Sequence, residues 1–344
     1  MTRHSLAAPL VLVLSSLAAC GGGAEDSSGD VDSKAAEASL LLNLTELGTA
    51  QAAMAPSSSS ASAKASETQP CESGELVSTT GVESNAGSPY TEQAFAVVSL
   101  QANQCSYHYN YADAHVQSSG ELSLDGDSVV GTASDDGSDY AFAQIGASAE
   151  APLSLHALAQ TLISGAERSA SLSVDVLETA YLRFDRRAGA ADSDQQWQGS
   201  QAGRYTLTSQ QGSYSGSYSY YMGSATEPFT LHQDAAGLSL DGSLGYEIAQ
   251  ARLPPECRSG ALQVETPVPL TTTGDTDRPY VAGQLRLTNA SAVVTTLSFN
   301  GDGSVTVSSN GQSQTYSYRV LRALAGDCVD ALRTAVEARL APAA

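Results

Sequence analysis

Lysine is almost missing from this chain. Lys34 and Lys64 are the only two among 344 residues, and 16 basic residues stand against 37 acidic ones, a net charge of −21. Nucleic-acid binding needs clustered Lys and Arg against phosphate, and an acidic surface repels phosphate and anionic headgroups alike. That partner class is excluded. Trp197 is the sole tryptophan, a thin supply of rings for stacking on sugars. The apolar run Leu6–Leu14 falls short of the roughly 20 residues of a membrane helix. Close cysteine pairs of the Cys-x-x-Cys kind are lacking, the nearest two being Cys71 and Cys105, which argues against a thiolate metal site. No serine-hydrolase elbow stands out either: in Gly212-Ser213-Tyr214-Ser215-Gly216 a tyrosine occupies the nucleophile's place and the stretch reads as a strand. No cofactor, metal or catalytic residue is assigned from the sequence. Paired carboxylates for glycoside hydrolysis stay open, because 37 acids allow many pairs and only geometry chooses among them.

What is present begins at the N-terminus. Met1-Thr2-Arg3-His4 is a short basic start, the apolar run follows, and Leu17-Ala18-Ala19-Cys20 ends in small residues. Positive end, short apolar run and small residues at the cut describe a secretory signal over residues 1–19. The ending Leu17-Ala18-Ala19-Cys20 resembles the lipobox of bacterial lipoproteins. The resemblance implies that the Cys20 thiol receives a diacylglycerol, that the chain is cut before it and that the new amine is acylated. At about 0.8 kcal/mol per buried CH2, two or three such chains anchor durably where one is marginal. Gly21, in place of the aspartate that marks inner-membrane retention in that family, implies the outer membrane. The plainer alternative is an ordinary cleaved signal with an incidental cysteine.

Processing would leave 15 basic against 37 acidic residues and, besides Cys20, four cysteines: Cys71, Cys105, Cys257 and Cys328. An even number in an exported chain reads as two disulfides, since the envelope is oxidising. Three connectivities are open; Cys71–Cys105 with Cys257–Cys328 keeps each bridge local to its own segment and is preferred.

Residues 20–70 read as a lipidated tether. Leu40, Leu44, Leu47, Ala50 and Met54 recur at helical spacing, predicting a short amphipathic helix over 32–54, although Gly48 weakens it. Residues 55–70 read as a Ser/Ala linker. Beyond residue 71 alternation takes over: Tyr107, Tyr109 and Tyr111, Tyr205 with Leu207, Val305 with Val307, and Tyr316 with Tyr318 each share one parity, the strand signature. Three versions of one phrase, Leu122-Ser123-Leu124-Asp125-Gly126, Leu238-Ser239-Leu240-Asp241-Gly242 and Leu297-Ser298-Phe299-Asn300-Gly301, predict two-residue hairpin turns, because Asp-Gly and Asn-Gly tolerate positive φ. Cys71-Glu72-Ser73-Gly74-Glu75-Leu76 is echoed by Cys257-Arg258-Ser259-Gly260-Ala261-Leu262, and an internal duplication is the economical account.

The fold expected is mainly β: an antiparallel sandwich or partly open barrel, duplicated, with a C-terminal helix and an N-terminal one. Its segments are a first β segment over 71–146, a connector over 147–190 with a helix at Ala151–Gly165, a Tyr/Ser-rich β segment over 191–256, and a second Cys-x-Ser-Gly segment over 257–344 closed by a helix over 328–341. In that last helix Asp327 caps, and Val329, Leu332, Val336 and Leu340 share a face. Cys-x-Ser-Gly, a long strand pair, a second Cys and an Asp-Gly turn together resemble a repeat of proteobacterial envelope lipoproteins of unknown function. The resemblance covers 71–145 and, more loosely, 257–318, where no cysteine stands at Leu287–Ser291 to match Cys105. It lends no activity.

Four histidines survive processing. On a strand His108 points away from Asp113 and His115, and His156 and His232 are isolated, so a structural or solvent-facing role is expected. The acidic turns Asp125-Gly126-Asp127 and Asp135-Asp136-Gly137-Ser138-Asp139 raise calcium, but Val130 sits where the helical calcium loop needs glycine, and solvated hairpin tips are the simpler account. The Tyr205–Tyr221 stretch could offer a binding face; filling a core poor in Phe and Trp is the expectation. The function expected is a non-enzymatic envelope lipoprotein, structural or binding, whose partners beyond the membrane are open. A carrier of an apolar ligand and a hydrolase without a recognisable motif are the alternatives.

Overall fold

The computed structural model describes residues 65–84, 87–112, 116–164, 169–209, 212–249, 259–273, 275, 279–321 and 323–324. Cys20, the helix expected over 32–54, Asp113, His115, Cys257, Cys328 and the helix expected over 328–341 lie outside the described residues.

The fold is mainly antiparallel β, as the alternation predicts. In chain order the strands are β1 (Ala65–Pro70), β2 (Ser73–Ser84), β3 (Ala94–Ala112), β4 (Val116–Asp135), β5 (Ser138–Ile145), β6 (Leu153–Ser164), β7 (Ser169–Ala188), β8 (Ser193–Ser209), β9 (Gly212–Met222), β10 (Phe229–Asp234), β11 (Gly237–Ala249), β12 (Ser259–Thr272), β13 (Tyr280–Asn289), β14 (Val294–Phe299), β15 (Ser304–Ser309) and β16 (Gln312–Ser317). All join one sheet, open among the described residues, whose path runs from β1 to β16. Residues 318–321 and 323–324 are helical. The expected linker at 55–70 therefore ends early: Ala65–Pro70 pairs with β2 from Thr80 to Glu75. The helix expected at Ala151–Gly165 is also corrected. Residues 153–164 form β6, paired on both edges, with β4 and β7. Its apolar residues suit either period, and two waiting strand edges decide for the extended form.

Twice, two short strands lie end to end between two long ones. β5 and β6 fill the gap between β4 and β7, and β10 and β9 fill that between β8 and β11. The repeated Leu-Ser-Leu-Asp-Gly phrase marks both junctions. β4 pairs β6 up to Asp125 and β5 from Ser128; β11 pairs β10 up to Asp241 and β9 from Leu244. Neither Asp125-Gly126 nor Asp241-Gly242 is a hairpin turn, which corrects the expectation. Their glycines, at φ +121° and +130°, admit the strand that starts there: a Cβ on Gly126 would stand 2.9 Å from the Leu153 Cα, and one on Gly242 2.7 Å from the Phe229 Cα. Each arriving strand is introduced by a proline, Pro152 or Pro228, at the position where a missing N–H costs the ladder nothing. Asn300-Gly301 does lie between two paired strands, but in a longer turn closed by Asn300 N–H donating to Ser304 at 2.9 Å. True two-residue turns occur at Asp136-Gly137 (φ +47° and +77°) and Asn310-Gly311 (φ +51° and +78°), where both central residues take the left-handed region.

The sheet buries opposite faces at its two ends. Phe184 of β7 stands beside Ala143 and Trp197, whereas the next residue, Asp185, stands beside Phe142 and Gln196; successive strand residues point to opposite faces. On the front, the face of Phe184, a large core runs from Trp197 and Phe229 through Leu240, Val264, Leu285, Leu297 and Val307 to Leu321 of the helical segment. On the back, Phe95 and Phe142 meet edge to face at 5.2 Å, with Val97, Val129 and Tyr140 around them.

Candidate functional site

Two arrangements of polar side chains stand out. The first occupies the front face beyond the large core. Direct strand partners carry that face across six strands, Tyr107 to Leu122, Ala157, Val176, Tyr205 and Gly216. At its outer end Tyr107, Tyr109 and Tyr111 form a row on β3, 43%, 45% and 57% exposed, with Leu122 beside them at 41%. From this row inward, tyrosine rings lie over cross-strand glycines. Tyr109 covers Gly120, Tyr218 covers Gly203, Tyr205 covers Gly216 and Tyr246 covers Gly260, each glycine leaving less than 3 Å between a would-be Cβ and the ring. A ring laid over a bare backbone shields its hydrogen bonds and regains the contact area that glycine lacks. Tyr205, Tyr214, Tyr218 and Tyr220 thus line one sheet face, half-buried, while Tyr221 stands exposed on the other, and the expectation that the Tyr205–Tyr221 rings fill the core is corrected.

Glu178 is embedded among these rings, 4% exposed. Its carboxylate accepts hydrogen bonds from the Tyr218 hydroxyl and from Gln201 Nε2 at 3.3 Å, while the Tyr220 hydroxyl donates to Gln201 Oε1 at 2.5 Å. Burial raises the Glu178 carboxyl above its ordinary value, since desolvation disfavours the charged form. Burial, with the Glu178 charge adding, pushes the Tyr220 phenol up as well.

The second arrangement is an ionic cluster on the back face. Arg183 donates through Nε and Nη2 to both Asp185 oxygens, at 2.7 and 2.9 Å, and through Nη1 to Gln144 at 3.0 Å. Its guanidinium carbon lies 5.3 Å from the Phe142 ring centre. Asp185 is 5% exposed; burial raises its carboxyl and Arg183 pulls the other way. Beyond it Arg187 bridges Asp192 at 2.5 Å and Asp194 at 3.3 Å, and Asp194 also meets His232 Nδ1 at 2.7 Å. The bond to Asp194 raises the His232 pKa. Tyr90, from the segment between β2 and β3, reaches this cluster with Gln196 as partner, and burial beside Asp194 and Asp185 drives its phenol upward.

The residues singled out from sequence are dispersed. Cys71 and Cys105 are disulfide-bonded, Cα atoms 5.4 Å apart, at the bulge where β3 slips against β4 between Ala102 and Cys105. His108 bonds Glu72 at 2.8 Å, His156 bonds Asp175 at 2.9 Å, and His232 belongs to the ionic cluster. Asp125 accepts the Gln104 N–H at 3.0 Å, and Asp139 accepts from Ser134 at 2.7 Å. Gly212–Gly216 opens β9 rather than a strand-to-helix elbow. Glu178, Arg183, Asp185 and Tyr90 were invisible in sequence because their meeting depends on register across β5, β7 and β8; the one signal present was an Arg-x-Asp-x-Arg alternation over 183–187.

Comparison with protein-family models, characterised proteins and solved structures finds no match for this chain.

Proposed function

We propose that this chain is a lipoprotein anchored in the bacterial envelope through Cys20, favouring the outer membrane, and that its sheet is a non-enzymatic binding module. The contact surface is the front face around Tyr107, Tyr109 and Tyr111. The observation that carries this reading is the exposed tyrosine row with Leu122 beside it. Tyrosine offers large, stiff contact area at small entropic cost, and contiguous exposed rings mark surfaces that are covered by something else. The rest of the polar chemistry supports the same reading. Each of the three described histidines is tied to a carboxylate across the sheet, and Arg183, Asp185, Glu178 and Gln201 are engaged with one another or with strand neighbours, an arrangement suited to holding strands in register.

The carrier alternative gains little from the front core. Val264, Leu270, Leu285, Leu297 and Val307 are 0% exposed, and a chamber roomy enough for a lipid would leave its lining open to water-sized molecules.

The test is a photo-crosslinking side chain placed at Tyr109 and, as control, at Thr206 on the back face, in cells that make the full chain. The binding module forms a defined adduct from Tyr109 alone; adducts from neither position, or equally from both, contradict it. Cys20→Ser moves the chain from the membrane to the soluble fraction if the anchor is right.

A further inference from the structure

We propose that β16 is a pairing edge for a second copy of this chain, the two β16 strands lying antiparallel about a two-fold axis. Among the described residues the sheet is open, so its path leaves two terminal strands, and they are built differently. β1 carries Glu67, follows Lys64 and ends on Pro70, the charged and proline devices that keep foreign strands off an edge. β16, Gln312-Ser313-Gln314-Thr315-Tyr316-Ser317, has neither a charge nor a proline. It pairs with β15 in unbroken register from Ser309–Gln312 to Ser304–Ser317, with no bulge to twist it away. Gln312, Ser313, Gln314 and Thr315 are all exposed.

Charge selects the occupant. The chain as a whole carries −21, which drives copies apart, yet residues 287–318 hold a single charged side chain, Asp302, and Asp302 is occupied with Ser304 at 2.6 Å. Along β16 itself two copies meet neutral surface on neutral surface, the exposed Arg319 lying two residues past its end. Gln, Ser and Thr both donate and accept hydrogen bonds, so the strand complements itself in an antiparallel match, and the two-fold geometry closes without open-ended growth. Six residues a side is a small contact, so the dimer is weak and forms in the micromolar range or above.

The experiment is sedimentation velocity on the exported full chain carrying Cys20→Ser, which keeps lipid out of the measurement, run up to roughly 100 μM, a concentration that reaches weak association. The expected result is a concentration-dependent monomer–dimer equilibrium that Ser313→Lys with Thr315→Lys shifts at least tenfold toward monomer, with the far-ultraviolet dichroism unchanged. Loss of the Ser313 and Thr315 bonds to Ser308 and Thr306 could unfold that variant; Gln314→Lys, which breaks neither, then reads the same shift. Thr68→Lys on β1 leaves the dimer intact. A chain that stays monomeric throughout overturns the proposal. So does a dimer that survives the β16 lysines or is lost with the β1 lysine, because another surface then makes it.

Discussion

Tyr218 lies directly across the β8–β9 ladder from Gly203, its ring so close that a methyl group on Gly203 would fall 2.5 Å from the ring's Cζ. Gly203 has no positive φ, so the space, and not the backbone conformation, demands glycine. Alanine in a strand interior ordinarily gains roughly 0.5–1 kcal/mol over glycine. Here the sign reverses. Gly203→Ala displaces the ring and its hydroxyl bond to Glu178, and is expected to cost about 1–3 kcal/mol in urea unfolding. Tyr218→Ala in the same chain should remove the clash, so that adding Gly203→Ala to it costs almost nothing.

The Glu178 carboxyl is raised by burial above its ordinary 4.5. Between the unfolded and folded values the native state holds more protons than the unfolded one, so this group's contribution to stability is full below 4.5 and is lost as pH rises through the folded value. Other acids, such as Glu72 beside His108, push in the opposite direction. The diagnostic is therefore the difference between wild type and Glu178→Gln. Thermal melts at a series of pH values should show Glu178→Gln gaining on wild type as pH climbs from 4 to neutrality; a constant difference would remove Glu178 from the account.

Arg183 and Asp185 form a two-point ion pair almost out of water. Removing one partner strands the other charge, at about 3–5 kcal/mol, whereas replacing both with apolar residues of similar size is far milder. Asp185→Ala should thus destabilise more than Arg183→Met with Asp185→Leu, measured by denaturant midpoints. Equal losses would mean that water reaches the pair.

The Cys71–Cys105 bridge closes a loop with a sequence separation of 34, and removal of such a bridge costs about 2–4 kcal/mol. Cys71→Ser with Cys105→Ser should lower the unfolding midpoint accordingly, and reductant should reproduce the effect on the wild type while leaving the variant's bridge region unchanged.

Much of this molecule was legible in the chain because strands announce themselves. The two-residue alternation at Tyr107, Tyr109 and Tyr111 and at Val305 and Val307 marks the β class and the shared face, and Cys71 and Cys105, local to one segment, are bonded as that locality predicts. Asp125-Gly126 and Asp241-Gly242 show where local reasoning ends. The same dipeptide that reverses a chain at Asp136-Gly137 also kinks a continuing strand where its neighbour changes. The difference lies in the aspartate, left-handed at Asp136 and not at Asp125 or Asp241, and that choice is made by Leu153 and Phe229 arriving from elsewhere. Residues 153–164 failed for the same reason: an apolar stretch between two unfilled strand edges becomes a strand whatever its helical spacing suggests. The Glu178 and Asp185 clusters depend on long-range register; beyond the Arg-x-Asp-x-Arg alternation over 183–187 they leave no spacing signal of their own.

The membrane placement rests on the sulfur of Cys20. Intact-mass measurement of the protein extracted from membranes decides it: the account expects mature material starting at Cys20 and heavier than its sequence by a diacylglycerol and an N-linked acyl chain. A mature chain beginning at any other residue, or beginning at Cys20 with no added mass, contradicts it.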